Sequence, residues 1–275
     1  MPTQRRTLSG MNQELWRAYF SLNAVAPRGI PWERGADLHP DEARFVIPSL
    51  QEFQIGESSD GAALLSAAVR WARRPAAAAA DAGLPEVLAL FVAEERRHAA
   101  ELARFLRLNG HPSLKRSAAA GAFRMLRQAL ARTPHALEGS LAVLMTAEVS
   151  GYVYYAALRS GTRSATLRAL CDVFLRDETA HLMLHADLMS RLRRGRSPAA
   201  LWLTRAASRT LMAGVCLVVW ARHRRVLAAG RLRLAGFAAG CFTLQAPALP
   251  AGGRLGSLAP RAALQGRDAG TPPAT

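Results

Sequence analysis

Two short runs carry the residues that could do chemistry. Ala93-Glu94-Glu95-Arg96-Arg97-His98 and Arg176-Asp177-Glu178-Thr179-Ala180-His181 each hold a Glu-x-x-His pair. A spacing of three residues sets carboxylate and imidazole on one helical face about a turn apart, so both can reach a single cation. One such pair is common on a helix surface. Two in one chain are a poor coincidence. Glu148 strengthens the case, because it is the only charged residue between Ser140 and Leu158. A helix apolar all round is buried, and a carboxylate there is costly unless it is protonated or met by a cation or strong donors.

A fourth carboxylate must be chosen between Glu52 and Glu57 in the first long helical segment. Glu57 is preferred, because it lies well inside that segment near Ala62, Ala63, Leu64 and Leu65. Glu52 is within a turn of the segment's start, where the helix dipole alone favours an acid. The candidate metal ligands are therefore Glu57, Glu95, His98, Glu148, Glu178 and His181. One Glu from each of two helices and one Glu-x-x-His from each of two others is the inventory of a di-iron or di-manganese carboxylate centre. An oxygen-rich set with one imidazole per ion suits two Fe ions, with Mn the alternative, better than zinc or copper(I).

The two runs resemble the Glu-Glu-x-Arg-His and Asp-Glu-x-x-His signatures of the soluble acyl-carrier-protein desaturases, members of the ferritin-like superfamily. The order and intervals of Glu57, Glu95 with His98, Glu148, and Glu178 with His181 are also similar to that family, over residues 50–195. The resemblance implies a ferritin-like four-helix bundle, the six residues as ligands, and Glu95 with Glu148 or Glu178 as catalytic bridging carboxylates. One turn after Glu148, where that family has a threonine, this chain has Gly151. His185, one turn beyond His181, resembles the additional histidine of di-iron N-oxygenases. Tyr152 and Tyr155 follow Glu148 as donors, electron relays or core aromatics; Phe91 and Phe174 are expected to form apolar walls, and Arg97 and Asp177 to orient ligands.

The expected function is a di-iron oxidoreductase, a non-haem oxygenase or oxidase, that activates O2 to hydroxylate, desaturate or N-oxygenate an organic substrate. The alternative is an iron-handling or electron-relay protein of the ferritin and rubrerythrin kind, without organic substrate. A metal-free interaction module is a third reading. No Gly-x-Gly-x-x-Gly fingerprint is present, so electrons are expected from a separate donor.

The elements that must position these residues follow from the hydrophobic periodicity. A short helix near Met11–Leu22 sits in an N-terminal arm, residues 1–44, broken by Pro27, Pro31 and Pro40. Long helices are predicted over 48–74, 85–108, 133–159 and 162–194, with a short helix over 118–132 in the crossover. A fifth long helix, over 199–229, completes the di-metal domain, residues 45–230. The fold class is all-α, a ferritin-like bundle with an extra C-terminal helix. Residues 231–275, rich in Gly, Pro, Ala and Arg, read as a disordered tail.

Among 275 residues, 36 Lys and Arg against 20 Asp and Glu give a formal charge of +16, weighted toward the C-terminal third. That charge suits acidic partners, a ferredoxin-like electron donor and an acyl carrier protein. The proposed docking face uses Arg191, Arg193, Arg194, Arg196, Arg222, Arg224 and Arg225. No nucleic-acid-binding signature accompanies the charge. The longest uncharged apolar run, Thr210 to Ala221, is too short to cross a bilayer, and no secretory leader is evident, so a cytoplasmic location is expected. Cys171, Cys216 and Cys241 are far apart in sequence and read as buried free thiols. A homodimer is left open.

Overall fold

A computed structural model describes residues 13–26, 28–59, 61–75, 81–133 and 135–246. The chain is all-α, with no strand among the described residues. Helix α1 spans Gln13–Val25, α2 Pro40–Glu57, α3 Ala62–Ala72, α4 Leu84–Leu108, α5 Ala118–Ala131, α6 Ala136–Gly161, α7 Ala165–Leu192, α8 Pro198–Ala229 and α9 Leu234–Gln245.

Helix boundaries obey local chemistry. Pro occupies the first turns of α2, α4 and α8, where its missing N–H would have no partner anyway. Ser164 accepts the Leu167 N–H at 2.9 Å and caps α7, and Ser197 does the same for α8 from the Ala200 N–H at 3.3 Å.

The segment expected as one helix over 48–74 is two. It begins earlier, at Pro40, and breaks between Glu57 and Ala62. Gly61 at φ +66° permits the turn, and a Cβ there would meet a Val92 methyl at 2.4 Å. Glu57 is consequently the last residue of α2 rather than an interior one.

Helix α6 is the core element. It packs against α7 and α8 and also touches α3, α5 and α9, while α4 packs against α1, α2, α3 and α7. Tyr154, Leu141 and Val149 on α6 are fully enclosed. Length and composition alone would let α6 cross a membrane, and 72% of its apolar window is buried inside the protein, as in a core helix. The α6–α8 crossing is tight at its end. A Cβ on Gly230 would lie 2.3 Å from the Ala157 carbonyl oxygen, so only glycine fits.

Two expectations about the chain ends are corrected, and the expected docking face meets a constraint. The arm over 1–44 is tied to the domain where described: the buried Glu42 of α2 accepts from Thr162 Oγ1 at 2.8 Å and Arg163 Nε at 2.7 Å. The tail is structured as far as Ala246, because Phe237 and Cys241 of α9 turn fully into the core. Its remainder, 247–275, lies outside the described residues, as does Met11. Finally, the arginine face is largely committed to internal pairs. Arg193 is buried with its Nε 2.8 Å from Glu138, Arg196 joins the same carboxylate, Arg191 holds Asp187 at 2.6 Å, and Arg222 pairs with Glu52. Arg194, Arg224 and Arg225 remain exposed and outside any ion pair among the described residues.

Candidate metal centre

Four helices deliver carboxylates and imidazoles to one buried point. Helix α4 supplies Glu95 and His98, α6 supplies Glu148, α7 supplies Glu178 and His181, and the end of α2 supplies Glu57. Glu95, Glu148, Glu178 and His181 each place a ligand atom within 4.8 Å of the others. His181 Nδ1 lies 3.2 Å from Glu95, 3.4 Å from Glu148 and 3.3 Å from Glu178. His98 Nδ1 faces the same carboxylates from the other side, 3.6 Å from Glu95 and 3.7 Å from Glu178. Glu57 stands at the edge, where its carboxylate accepts from Tyr155 Oη at 2.8 Å and shares a hydrogen bond with Glu95. Glu52 points away and pairs with Arg222. The alternative for the α2 carboxylate is thus occupied elsewhere.

The electrostatics are those of a site short of positive charge. Burial, then the neighbouring Glu148 and Glu57 charges, push the Glu95 carboxyl well up. Glu178 is likewise pushed up by burial and by Glu148, and Glu57 rises through burial. Burial alone would also raise Glu148, but hydrogen bonds from Glu178 and His181 outweigh it and hold it at about 2. Burial would lower His181, yet Glu148 and Glu95 lift it to about 10. A protonated imidazole is the one cation among these groups.

The donor atoms fit a metal. Glu95 Oε1, Glu178 Oε2, His98 Nδ1 and His181 Nδ1 are buried without a directional hydrogen bond among the described residues. Buried polar atoms are almost always partnered, so four such atoms facing one another form a group that could hold a cation. The His98 tautomer follows from its outer contact. Its Nε2 lies 3.1 Å from Asp177, so Nε2–H donates and the Nδ1 lone pair faces the carboxylates. Burial holds His98 neutral, at about 4.

Glu94, His98 and Asp177 form a second group with metal-ligand spacing. This one already has its counter-ions. Arg97 reaches Glu94 at 2.7 Å and Asp177 at 3.3 Å, Arg176 reaches Asp177 at 2.9 Å, and Arg28 lies 3.5 Å away. Three guanidiniums offset two carboxylates, which leaves the first group as the better cation site. Asn23 of α1 ties Glu94 and Asp177 together, donating to the latter at 3.0 Å.

Sequence reasoning missed Asn23 and Arg28, because nothing in a proline-broken arm signals contact with α7. His185 is completely enclosed against Phe91, with ring centroids 5.1 Å apart, and neither ring nitrogen has a hydrogen-bond partner. Phe174 packs 4.3 Å from His98, and Phe91 packs 4.8 Å from His181, so both act as apolar walls.

A cavity of ≈ 370 Å³ opens onto these carboxylates. Glu57, Glu95, Glu148 and Glu178 all line it, and Gly151 lies beside them. A Cβ on Gly151 would meet nothing closer than Tyr155 at 3.8 Å, so the missing side chain leaves open volume. Comparison with protein-family models, curated proteins and solved structures finds no match to this chain.

Proposed function

We propose that the chain is a ferritin-like di-iron oxidoreductase that activates O2 to oxidise an organic substrate. The observation that carries the reading is the convergence of Glu95, Glu148, Glu178 and His181 at one buried point, with His98 Nδ1 close by and Glu57 at the edge, on a cavity lined by all four carboxylates. Glu95 and His98 with Glu57 would hold one ion and Glu178 and His181 with Glu148 the other, and Glu95 and Glu178 are each within 3.7 Å of both histidines. When bound, two iron ions would supply the reduction of O2, with Mn the alternative metal.

Four carboxylates balance two divalent ions, which removes the mutual repulsion that now raises Glu95 and Glu178. Asp177 keeps the His98 lone pair inward, and the Phe91 and Phe174 walls keep water from the imidazoles. Two electrons come from an external donor and two from the substrate, so that O2 is accounted for as water and product.

The cavity favours this reading over metal storage or relay, because an open apolar chamber at the ligands has a use only if an organic molecule enters. Metal analysis of the purified chain should find two ions, and rapid mixing of its Fe(II) form with O2 should give a transient optical band. Glu148→Ala should drop bound metal below two ions per chain. Full occupancy in that variant would count against the site.

A further inference from the structure

The cavity that reaches the carboxylates has one polar floor and one cationic rim. Its floor is Glu57, Glu95, Glu148 and Glu178. Phe53, Leu64, Phe91, Phe123, Val143 and Val215 make the walls, contributed by α2, α3, α4, α5, α6 and α8. Arg124 of α5 is the one arginine or lysine on the lining among the described residues. It is exposed, so it marks the solvent end, whereas Glu148 and Glu178 are buried and mark the inner end.

Arg124 forms no hydrogen bond or ion pair among the described residues. The acid Glu52, also on the lining, is already held by Arg222. Arg124 is thus free to take an anion from outside. The guanidinium stands at the solvent end and the apolar walls lead inward from it, so a molecule with an anionic head and a hydrocarbon part enters hydrocarbon first. A cationic amine head would be repelled at the rim by Arg124.

We propose that the ligand of this cavity is an apolar monocarboxylic acid, held by its carboxylate at Arg124 with its chain or ring directed at Glu148. The inference deepens the proposed function, since it takes this acid as the substrate of that site and rests on that reading. The volume of ≈ 370 Å³ is near the small end of the ~300–1,000 Å³ usual for small-molecule sites, so the acid is a medium-chain or single-ring one. An arginine fork also matches a carboxylate by two parallel hydrogen bonds, which a hydroxyl or amine cannot accept in that manner. Gly151 sets the depth, because any side chain there would occupy space beside Glu148.

The test is calorimetric titration of the full chain, as purified, with decanoate, decanol and decylamine. Decanoate should bind tightest. Arg124→Glu should weaken it at least tenfold and leave decanol unchanged, and Arg124→Lys should restore part of the loss. Gly151→Leu should weaken decanoate and decanol alike, which places both in this cavity. Equal decanoate affinity in wild type and Arg124→Glu, decylamine binding as tightly as decanoate, or unchanged binding in Gly151→Leu would each overturn the assignment. Metal content, read on the same samples, separates the two conclusions. A chain without metal overturns the oxidase reading, and the titrations alone decide the ligand class.

Discussion

At the residue scale, one imidazole performs two incompatible duties. His181 serves as the cation for three carboxylates in the metal-free chain, yet a ligand imidazole must be neutral to offer its lone pair. The conflict has a measurable sign. His181, raised to about 10, and Glu95 and Glu178, raised by burial and then by the Glu148 charge, bind protons more tightly folded than unfolded. Their stabilisation is therefore present at low pH and is lost as pH rises. His98, His185 and His223, each lowered to about 4 by burial, act in the opposite sense, but only below the unfolded histidine value. The melting temperature of the metal-free chain should accordingly fall from about pH 7 to about pH 9. Saturating Fe(II) or Mn(II) without oxygen should flatten that slope. A metal-free chain whose melting temperature climbs over the same interval would refute the charge assignment.

At the element scale, α6 must be closely clasped to bring Glu148 to the others. Its far end is pinned where Gly230 lies against Ala157. Gly230→Ala should cost about 3 kcal/mol by overpacking, seen as a lower urea midpoint. Gly214→Ala, in an exposed stretch of α8 with open space around it, should change little. The paired Glu-x-x-His spacing and the lone charge of α6 were legible in the sequence, because helical period and a buried carboxylate speak through residue type alone. The break at 58–61 was not, since Gly56 and Gly61 weaken a helix without saying where it stops. Helix α9 was hidden by composition: Leu234–Gln245 lacks a polar face, so it shows no amphipathic period, although Phe237 and Cys241 bury it firmly. The clamp from Asn23 and Arg28 to Asp177 is a tertiary contact, which no local pattern encodes.

For the whole molecule, the charge of +16 is less available than its count suggests. Glu138 consumes Arg193 and Arg196, and Glu52 consumes Arg222. A docking face for an acidic ferredoxin, the electron donor that the proposed function calls for, would use exposed cations such as Arg194, Arg224 and Arg225. Binding of an acidic ferredoxin should weaken steeply as salt rises through the range where the Debye length is ~8 Å. The double change Arg224→Glu and Arg225→Glu should slow association and leave metal content intact. The same exchange at Arg193 would instead strand Glu138 in the interior and report on folding. Unaltered ferredoxin binding in the first variant would retire the docking idea.

The break after α2 has a mechanical consequence. Glu95, His98, Glu148, Glu178 and His181 sit in the middle of long, continuous helices, but Glu57 is the final residue of its helix, beside a turn at 58–61. Five of the six jaws of this vice are therefore fixed and one is sprung. Ser58, Ser59 and Gly61 of the same turn also line the cavity. A molecule filling that chamber would therefore bear on the one carboxylate anchored at a helix end, which Tyr155 steadies by its hydrogen bond.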